Sequence, residues 1–390
     1  MIFIGIDIGK STHYANAVDS TGNEIATPFP FPNSLPGFQT LKDFILSFHP
    51  LDSLCVAMEA TGHYWLNLYT FLFDLGLETH VFNPIQTEAV RRMNIRKTKT
   101  DSLDCRFIAD VVRFGNYSDI RPQSSDIQQL RQLCRFRYGM ADELGALKNQ
   151  VIGLLDRVFP EYSSLFSDVF GVTSLALLAK YTLPEEFLKV PTSRLAAVLA
   201  KHSRGRFGEA KALEIKEACK RSVGIKGPTS VLSFQLRSII DHIAFVDNQI
   251  SQIEGKIDEI YSRCNCFLHT IQGVGSLSAA VILSEIGNID NFESPRKVVA
   301  FAGLDPSIHQ SGNFQSTHNS MSKRGSPYLR RAIWSCAVVA ARCNPVLSAF
   351  YQKKRSEGKN HLTAIGGVAH KLCGPIFAVL RDRSPYVPLA

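Results

Sequence analysis

The sequence predicts an α/β domain on a mixed sheet, followed by a long helical region and a mainly helical C-terminal part. Three observations carry this. From residue 2 to about 94, short apolar runs and segments of helical period follow one another in the order βββαβαβα. From Ile127 the apolar positions recur three and four apart over many turns, the spacing of long helices or a coiled coil. A last part begins near Cys266, where a Gly-x-Gly turn opens an apolar helix, and 345–390 hold another helix with a basic edge.

The first strand is IFIGIDI (2–8), an apolar run broken by one Asp. HYANAVDS (13–20) is the second, and the turn residues TGN lead to a third. Residues 36–48 have helical period, with Phe38, Leu41, Phe44 and Ile45 on one face. LCVAMEA (54–60) reads as a buried strand, YWLNLYTFLFDLG (64–76) as a helix ended by Gly76, and HVFNP (80–84) as a strand before a helix from about 85 to 94. The next seam runs through Leu130, Leu133, Arg137, Met140, Leu144, Leu147, Val151, Leu154 and Val158, interrupted only by the Arg and ended at Pro160. A second seam joins Leu236, Ile240, Ile243, Val246, Ile250, Ile253, Ile257 and Ile260. Between them, 161–227 read as shorter helices with a basic stretch, KHSRGR (201–206). The two long helices are expected either to pair antiparallel within the chain or to offer a seam to a second copy. The domains expected are thus 1–120, 121–262 with an insertion at about 161–227, and 263–390.

A chain of 390 residues is too long for one ordinary core. Its formal net charge of +8 suits a polyanionic partner, because Lys and Arg replace counterions condensed on phosphates. The 9 Cys are odd in number and include no CxxC pair, which argues against a zinc knuckle and for reduced thiols in a cytoplasmic protein. No signal peptide precedes the first strand and no apolar run reaches the length of a membrane span, so no membrane partner is expected.

Asp7 lies inside a strand between apolar neighbours, where a charge costs desolvation unless a partner offsets it. Glu59 ends the strand LCVAME in the same way. Two carboxylates at neighbouring strand ends repel unless a cation sits between them. Asp101 and Asp104 follow, three apart at a helix start that Thr100 can cap, so they share a side. Four oxygen donors with no nearby His or Cys match a hard cation, Mg2+ or Mn2+, and ions held this way serve phosphoryl transfer. Singly, each has an ordinary explanation: an acid favouring a helix N-terminus, or a salt-bridged strand end. The joint pattern carries the metal reading. Sugar kinases and actin-like ATPases also open on an Asp-x-Gly strand, but no convincing second Gly-rich phosphate segment is found here.

Residues 301–331, FAGLDPSIHQSGNFQSTHNSMSKRGSPYLRR, are rich in Ser and Gly. Ser326-Pro327 forms an N-cap and first-turn pair, with Lys323, Arg324, Arg330 and Arg331 around the helix start. Cations at a helix N-terminus suit phosphate; a solvated basic loop is the equal alternative. Ser311 precedes Gly312, where backbone can approach closely. His309 and His318 are candidate bases, but no fixed spacing makes a triad. Gly273-Val274-Gly275 resembles a helix-hairpin-helix turn that binds DNA phosphate through backbone amides; a structural tight turn is the alternative.

The chain resembles transposases of the 110/1111 family of bacterial insertion sequences, related to the Piv invertases. The matching pieces, in family order, are GIDIGK (5–10), MEATGHYW (58–65), NIRKTKTDSLDCRFIA (94–109), GVG with LSEIGN (283–288), AFAGLDPSIHQSG and MSKRGSPYLRRAIW. About 160–230 match no motif. The resemblance implies a RuvC-like, RNase H-type N-terminal domain whose DEDD tetrad falls on Asp7, Glu59, Asp101 and Asp104. It implies a C-terminal transposase domain with its catalytic serine on Ser311, Ser322 being the runner-up. It further implies a covalent serine–DNA intermediate, donor and target DNA as partners, and an element-encoded noncoding guide RNA. Asp305 departs from the pattern, which favours a small residue there.

The expected function is therefore DNA transposition or site-specific recombination, by a homodimer or homotetramer, cytoplasmic and nucleoid-associated. The serine attacks, the metal-bound carboxylates complete the site, and the four cations and the Gly-x-Gly turn bind nucleic acid. A RuvC-type structure-selective nuclease using metal-activated water is one alternative. A non-catalytic nucleic-acid-binding protein on a relic nuclease fold is another.

Overall fold

A computed structural model describes residues 1–48, 53–82, 84, 86–88, 101–115, 117, 124–306, 310–311, 314–315 and 320–387. The chain divides into two units, Met1–Pro122 and Gln123–Ala390.

The first unit is built on a five-stranded mixed sheet in the order β3-β2-β1-β4-β5. Strands β1 (Ile2–Asp7), β2 (Thr12–Val18) and β3 (Glu24–Pro32) form an antiparallel meander, and β4 (Leu54–Glu59) and β5 (Thr79–Phe82) run parallel to β1. This is the mixed sheet the sequence predicts; the helix expected over 85–94 lies largely outside the described residues. Alternation along β1 sends Ile4 and Ile6 to one face and Phe3 to the other. On the first face lie α1 (Leu35–Leu46), which buries Phe38, Leu41 and Ile45, and α2 (Trp65–Asp74), which buries Leu68 and Leu72. Gly76, at φ +73°, follows α2 as expected. The other face is covered by α3 (Asp101–Arg113), through Ile108, Ala109 and Val112. Helix α3 crosses β1 at Gly5, where a Cβ would stand 1.9 Å from the Cys105 carbonyl oxygen and 2.6 Å from the Ala109 nitrogen. Only glycine permits that approach.

The second unit is organised by two 34-residue helices, α4 (Ser125–Val158) and α10 (Ser230–Arg263), each about 51 Å long. The ion pairs Asp126–Arg263 (3.2 Å) and Arg137–Glu254 (2.7 Å) and the contact Glu143–His242 (3.4 Å) show that they run antiparallel. All eight apolar positions predicted for the α10 seam are buried, within this one chain. The α4 stripe differs from the expected one. Its first half buries Leu130, Cys134 and Tyr138, whereas Leu133 and Met140 are only partly buried. The cause is a second neighbour, the C-terminal helices, which draw the stripe round the helix. Arg137 does not interrupt packing; it bonds Glu254 across the pair.

One end of the helix pair shares a core with α5 (Tyr162–Leu165), α6 (Val172–Leu178), α7 (Pro184–Lys189), α8 (Thr192–His202) and α9 (Glu209–Arg221). The other end packs with α11 (Ser276–Ile286), α12 (Pro295–Ala302), α13 (Pro327–Cys343), α14 (Pro345–Ser356) and α15 (His361–Asp382). Two short strands, β6 (Gln310–Ser311) and β7 (Phe314–Gln315), pair antiparallel between α12 and α13. Contrary to the sequence reading, α15 is long and apolar enough to cross a membrane. Here its Ile365, Val368, Ala369, Leu372, Cys373 and Ile376 are buried in the core of the unit. Six of the nine cysteines are buried, and among the described residues all nine are free thiols.

Candidate active site and nucleic-acid interface

In the first unit, the parallel register Ile6↔Met58 brings Asp7 and Glu59 to the C-terminal ends of adjacent strands. Phe3, Cys55 and Ala57 share a core with α3. Asp7 and Glu59, an even number of residues on, therefore belong to the same sheet face. Asp104 is buried in the first turn of α3, beside Cys105, whose carbonyl lies against Gly5. The Cys105 thiol is pushed up to about 12, by burial first and then by the charge of Asp7, so Asp7 lies close to this helix. Asp7, Glu59 and Asp104 thus share one edge of one face. The Asp101 side chain lies outside the described residues. Thr61 donates its hydroxyl to Glu59 at 3.3 Å.

The carboxylates supply oxygen and fit a hard cation in kind; contrary to the expectation of no nearby Cys, the Cys105 thiol stands next to Asp104, and burial keeps it protonated. Among the described residues, however, no three His, Cys, Asp or Glu side chains form a group that could hold a metal. The turn after Asp7 is held by residues the sequence reading passed over. The Gly9 N–H donates to His13 Nδ1 (3.2 Å), Asn33 Nδ2 donates to the Lys10 carbonyl (3.1 Å), and the Asn33 N–H to the Ser11 carbonyl (2.9 Å). His13 is fully buried, and burial holds its pKa below the usual 6.5, which leaves Nδ1 free to accept. A His inside an apolar strand was the available signal.

In the second unit, Ser311 sits on β6 opposite Phe314 of β7; its side chain, His309 and His318 lie outside the described residues. The half-buried Ser322 donates its hydroxyl to Asp305 Oδ1 at 2.5 Å. Ser326 caps α13, accepting from the Leu329 N–H (3.2 Å), and donates to Glu285 Oε2 (2.7 Å). Glu285, only 2% exposed, also receives Arg135 at both oxygens (2.7 and 2.9 Å). Arg131 donates to the Ser284 carbonyl at 2.7 Å. This cluster ties α4, α11 and the start of α13 together.

The four cations near that start differ in what they do. Arg330 donates to the Ala302 carbonyl (3.1 Å). Arg331 pairs with Asp142 (2.8 Å) and lies 4.5 Å over the Tyr138 ring. Lys323 and Arg324 are exposed and have no ion-pair partner among the described residues. The two glycines of the Gly-x-Gly turn also part company. A Cβ on Gly273 would stand 2.7 Å from Ala340, so this glycine serves packing against α13. Gly275 is exposed at the start of α11, with nothing within 4 Å of a Cβ there.

Two family models match. One, described as Transposase and named for DEDD transposases of the IS110 type, covers residues 4–160; the other, Transposase IS116/IS110/IS902 family, covers residues 266–352. Together they span more than half of the chain. The insertion element IS110 43.6 kDa protein of Streptomyces coelicolor is 23% identical over 99% of this chain and 95% of its own. The insertion element IS900 42 kDa protein of Mycobacterium paratuberculosis is 26% identical over 99% and 97%. The pilin gene-inverting protein of Moraxella bovis is 24% identical over 98% and 97%. A Thermus thermophilus RuvC structure aligns with 31% of this chain and all of its own at 16% identity, with a TM-score of 0.23.

Proposed function

The chain belongs to the IS116/IS110/IS902 family of transposases, and from that premise we propose that it cuts and rejoins DNA through a covalent serine–DNA intermediate. The carboxylate half rests on the register Ile6↔Met58, which leaves Asp7 and Glu59 at the ends of neighbouring strands, and on Asp104 in the first turn of the helix that covers the same sheet face. The serine half rests on the second family match, whose span includes Ser311.

Ser311 Oγ attacks the scissile phosphorus, and the bond to the leaving sugar oxygen breaks. The proton lost by the serine balances the one gained by that oxygen. The phosphoserine ester conserves the bond, so attack by a second sugar hydroxyl reseals DNA and frees the serine without a nucleotide cofactor. Asp7, Glu59, Asp104 and, through the family pattern, Asp101 would hold Mg2+ or Mn2+, which supplies Lewis-acid polarisation of the phosphate. Lys323 and Arg324 meet DNA phosphates, while Arg330 and Arg331 fix the helix start that presents them.

The proposal extends to an element-encoded noncoding RNA, which the net charge of +8 supports as a second polyanionic partner. It also extends to a homodimer or homotetramer. Phe136, Phe234 and Phe245 on α4 and α10 are 54%, 71% and 60% exposed, apolar side chains that a second copy would cover.

A recombination assay with Mg2+ tests the reading. Asp7→Ala and Ser311→Ala are each expected to abolish joining, and Ser311→Ala to abolish the protein–DNA adduct. Normal recombination by Asp7→Ala would remove the metal role.

A further inference from the structure

The segment bearing Ser311 leaves after α12 and returns before α13, and its two ends are joined by a short ladder. The Lys323 N–H donates to the Gly303 carbonyl (3.1 Å), the Ser322 N–H to the Asp305 carbonyl (2.8 Å), and Pro306 and Met321 form an antiparallel bridge. Below it, the Ser326 N–H donates to the Phe301 carbonyl (3.1 Å). The two sides touch at backbone level. A Cβ on Gly303 would lie 2.3 Å from the Arg324 carbonyl oxygen, and one on Gly325 would lie 2.0 Å from that of Phe301. Across this stem the Ser322 hydroxyl donates to Asp305 Oδ1 at 2.5 Å. A bond to a carboxylate is roughly twice as strong as a neutral one, so this contact outweighs each backbone bond of the described ladder. It also accounts for the acid at position 305, where the family pattern favours a small residue.

We propose that Asp305 and Ser322 form a clasp that closes the stem and sets the register in which β6 presents Ser311. Both are then positioning residues for strand cleavage, and Ser322 is not the nucleophile. The inference rests on the serine reading given above. A nucleophile must be held to within a fraction of an ångström of its line of attack, and a stem free to slip would lose that.

The test uses full-length protein and a duplex that joins the element end to its flank, with Mg2+. Three quantities are read: the single-turnover rate of adduct formation, the Kd for the duplex without metal, and amide exchange over 301–306 and 320–326. Asp305→Ala and Ser322→Ala should each slow adduct formation about tenfold, the effect of one charge-assisted hydrogen bond, with Kd unchanged and exchange faster at both ends of the stem. Asp305→Asn, which still accepts from the hydroxyl but without the charge, should lose only about threefold. The double variant Asp305→Ala/Ser322→Ala should be no slower than either single one. Loss of all adduct in Ser322→Ala would overturn the proposal by making Ser322 the nucleophile. Unchanged rate and exchange in Asp305→Ala would also overturn it. A wild-type protein that cuts without any adduct would sink the serine reading instead, and the clasp would then be decided by the exchange measurement.

Discussion

Replacing Arg135 by Ala strikes the cluster that joins α4, α11 and the start of α13. Glu285 is 2% exposed and its carboxylate receives three hydrogen bonds, two from Arg135 and one from Ser326. Arg135→Ala leaves the buried carboxylate with one hydroxyl donor and the nearby charge of Arg131, which bonds the Glu285 carbonyl at 3.4 Å. Breaking a buried pair from one side costs about 3–5 kcal/mol, because the remaining charge is stranded. The Arg135 side chain is 46% exposed and Arg131 stays nearby, so solvent and the second cation bring the cost below that range, to about 2–3 kcal/mol. At about 2–4 °C per kcal/mol for a unit of this size, Tm should fall by roughly 5–10 °C. Calorimetry and urea unfolding read both quantities. The double variant Arg135→Ala/Glu285→Ala removes the stranded charge and should cost less than the sum of the two single variants. A loss below about 1 kcal/mol in Arg135→Ala, or strict additivity, would refute the claim that Glu285 depends on this partner.

Two further substitutions probe the first unit. Gly5→Ala drives a Cβ into backbone atoms of Cys105 and Ala109, which no rotamer change can relieve. It should destabilise the unit by about 3 kcal/mol, the upper range for overpacking, and displace α3 from Asp7; unfolding at the wild-type urea midpoint would contradict this. Asp19, in the turn between β2 and β3, accepts from the Thr21 hydroxyl and then from the Asn23 amide, which holds its pKa at about 2 against the usual 3.8. A depressed carboxylate stabilises the fold fully above the unfolded value, and that contribution is lost as pH falls from about 3.8 through about 2. An NMR titration of Asp19 should give a midpoint near 2 that rises in Thr21→Val; a midpoint at 3.8 in the unaltered protein would show the bonds absent in solution.

What the sequence revealed was local. Heptad spacing located the eight buried positions of α10 from Leu236 to Ile260, where one stripe faces its neighbours, but not Leu232, Ser233 or Tyr261 near its two ends. On α4 the same reasoning selected Leu133 and Met140 over Cys134 and Tyr138, since periodicity cannot register a second neighbour packed at an angle. Asp7 and Glu59 were legible as charges stranded in apolar strands. Gly5, which admits α3 beside them, was not, because its reason is a backbone about a hundred residues away. By sequence the basic helix start holds four equivalent cations. Arg330 and Arg331 are engaged by Ala302 and Asp142, and charge counting does not reveal partners. Glu285 was visible as part of a motif, but Arg135, which gives it its role, lies 150 residues earlier.

The central claim is that Ser311 becomes joined to DNA while the carboxylates act in support. Its most direct test is to trap the protein–DNA adduct with Mg2+, digest it, and locate the modified residue by mass spectrometry. The account predicts a phosphodiester fragment on the peptide containing Ser311, absent in Ser311→Ala and in Asp7→Ala. A fragment on Ser322, or cleaved DNA with no adduct at all, would contradict it.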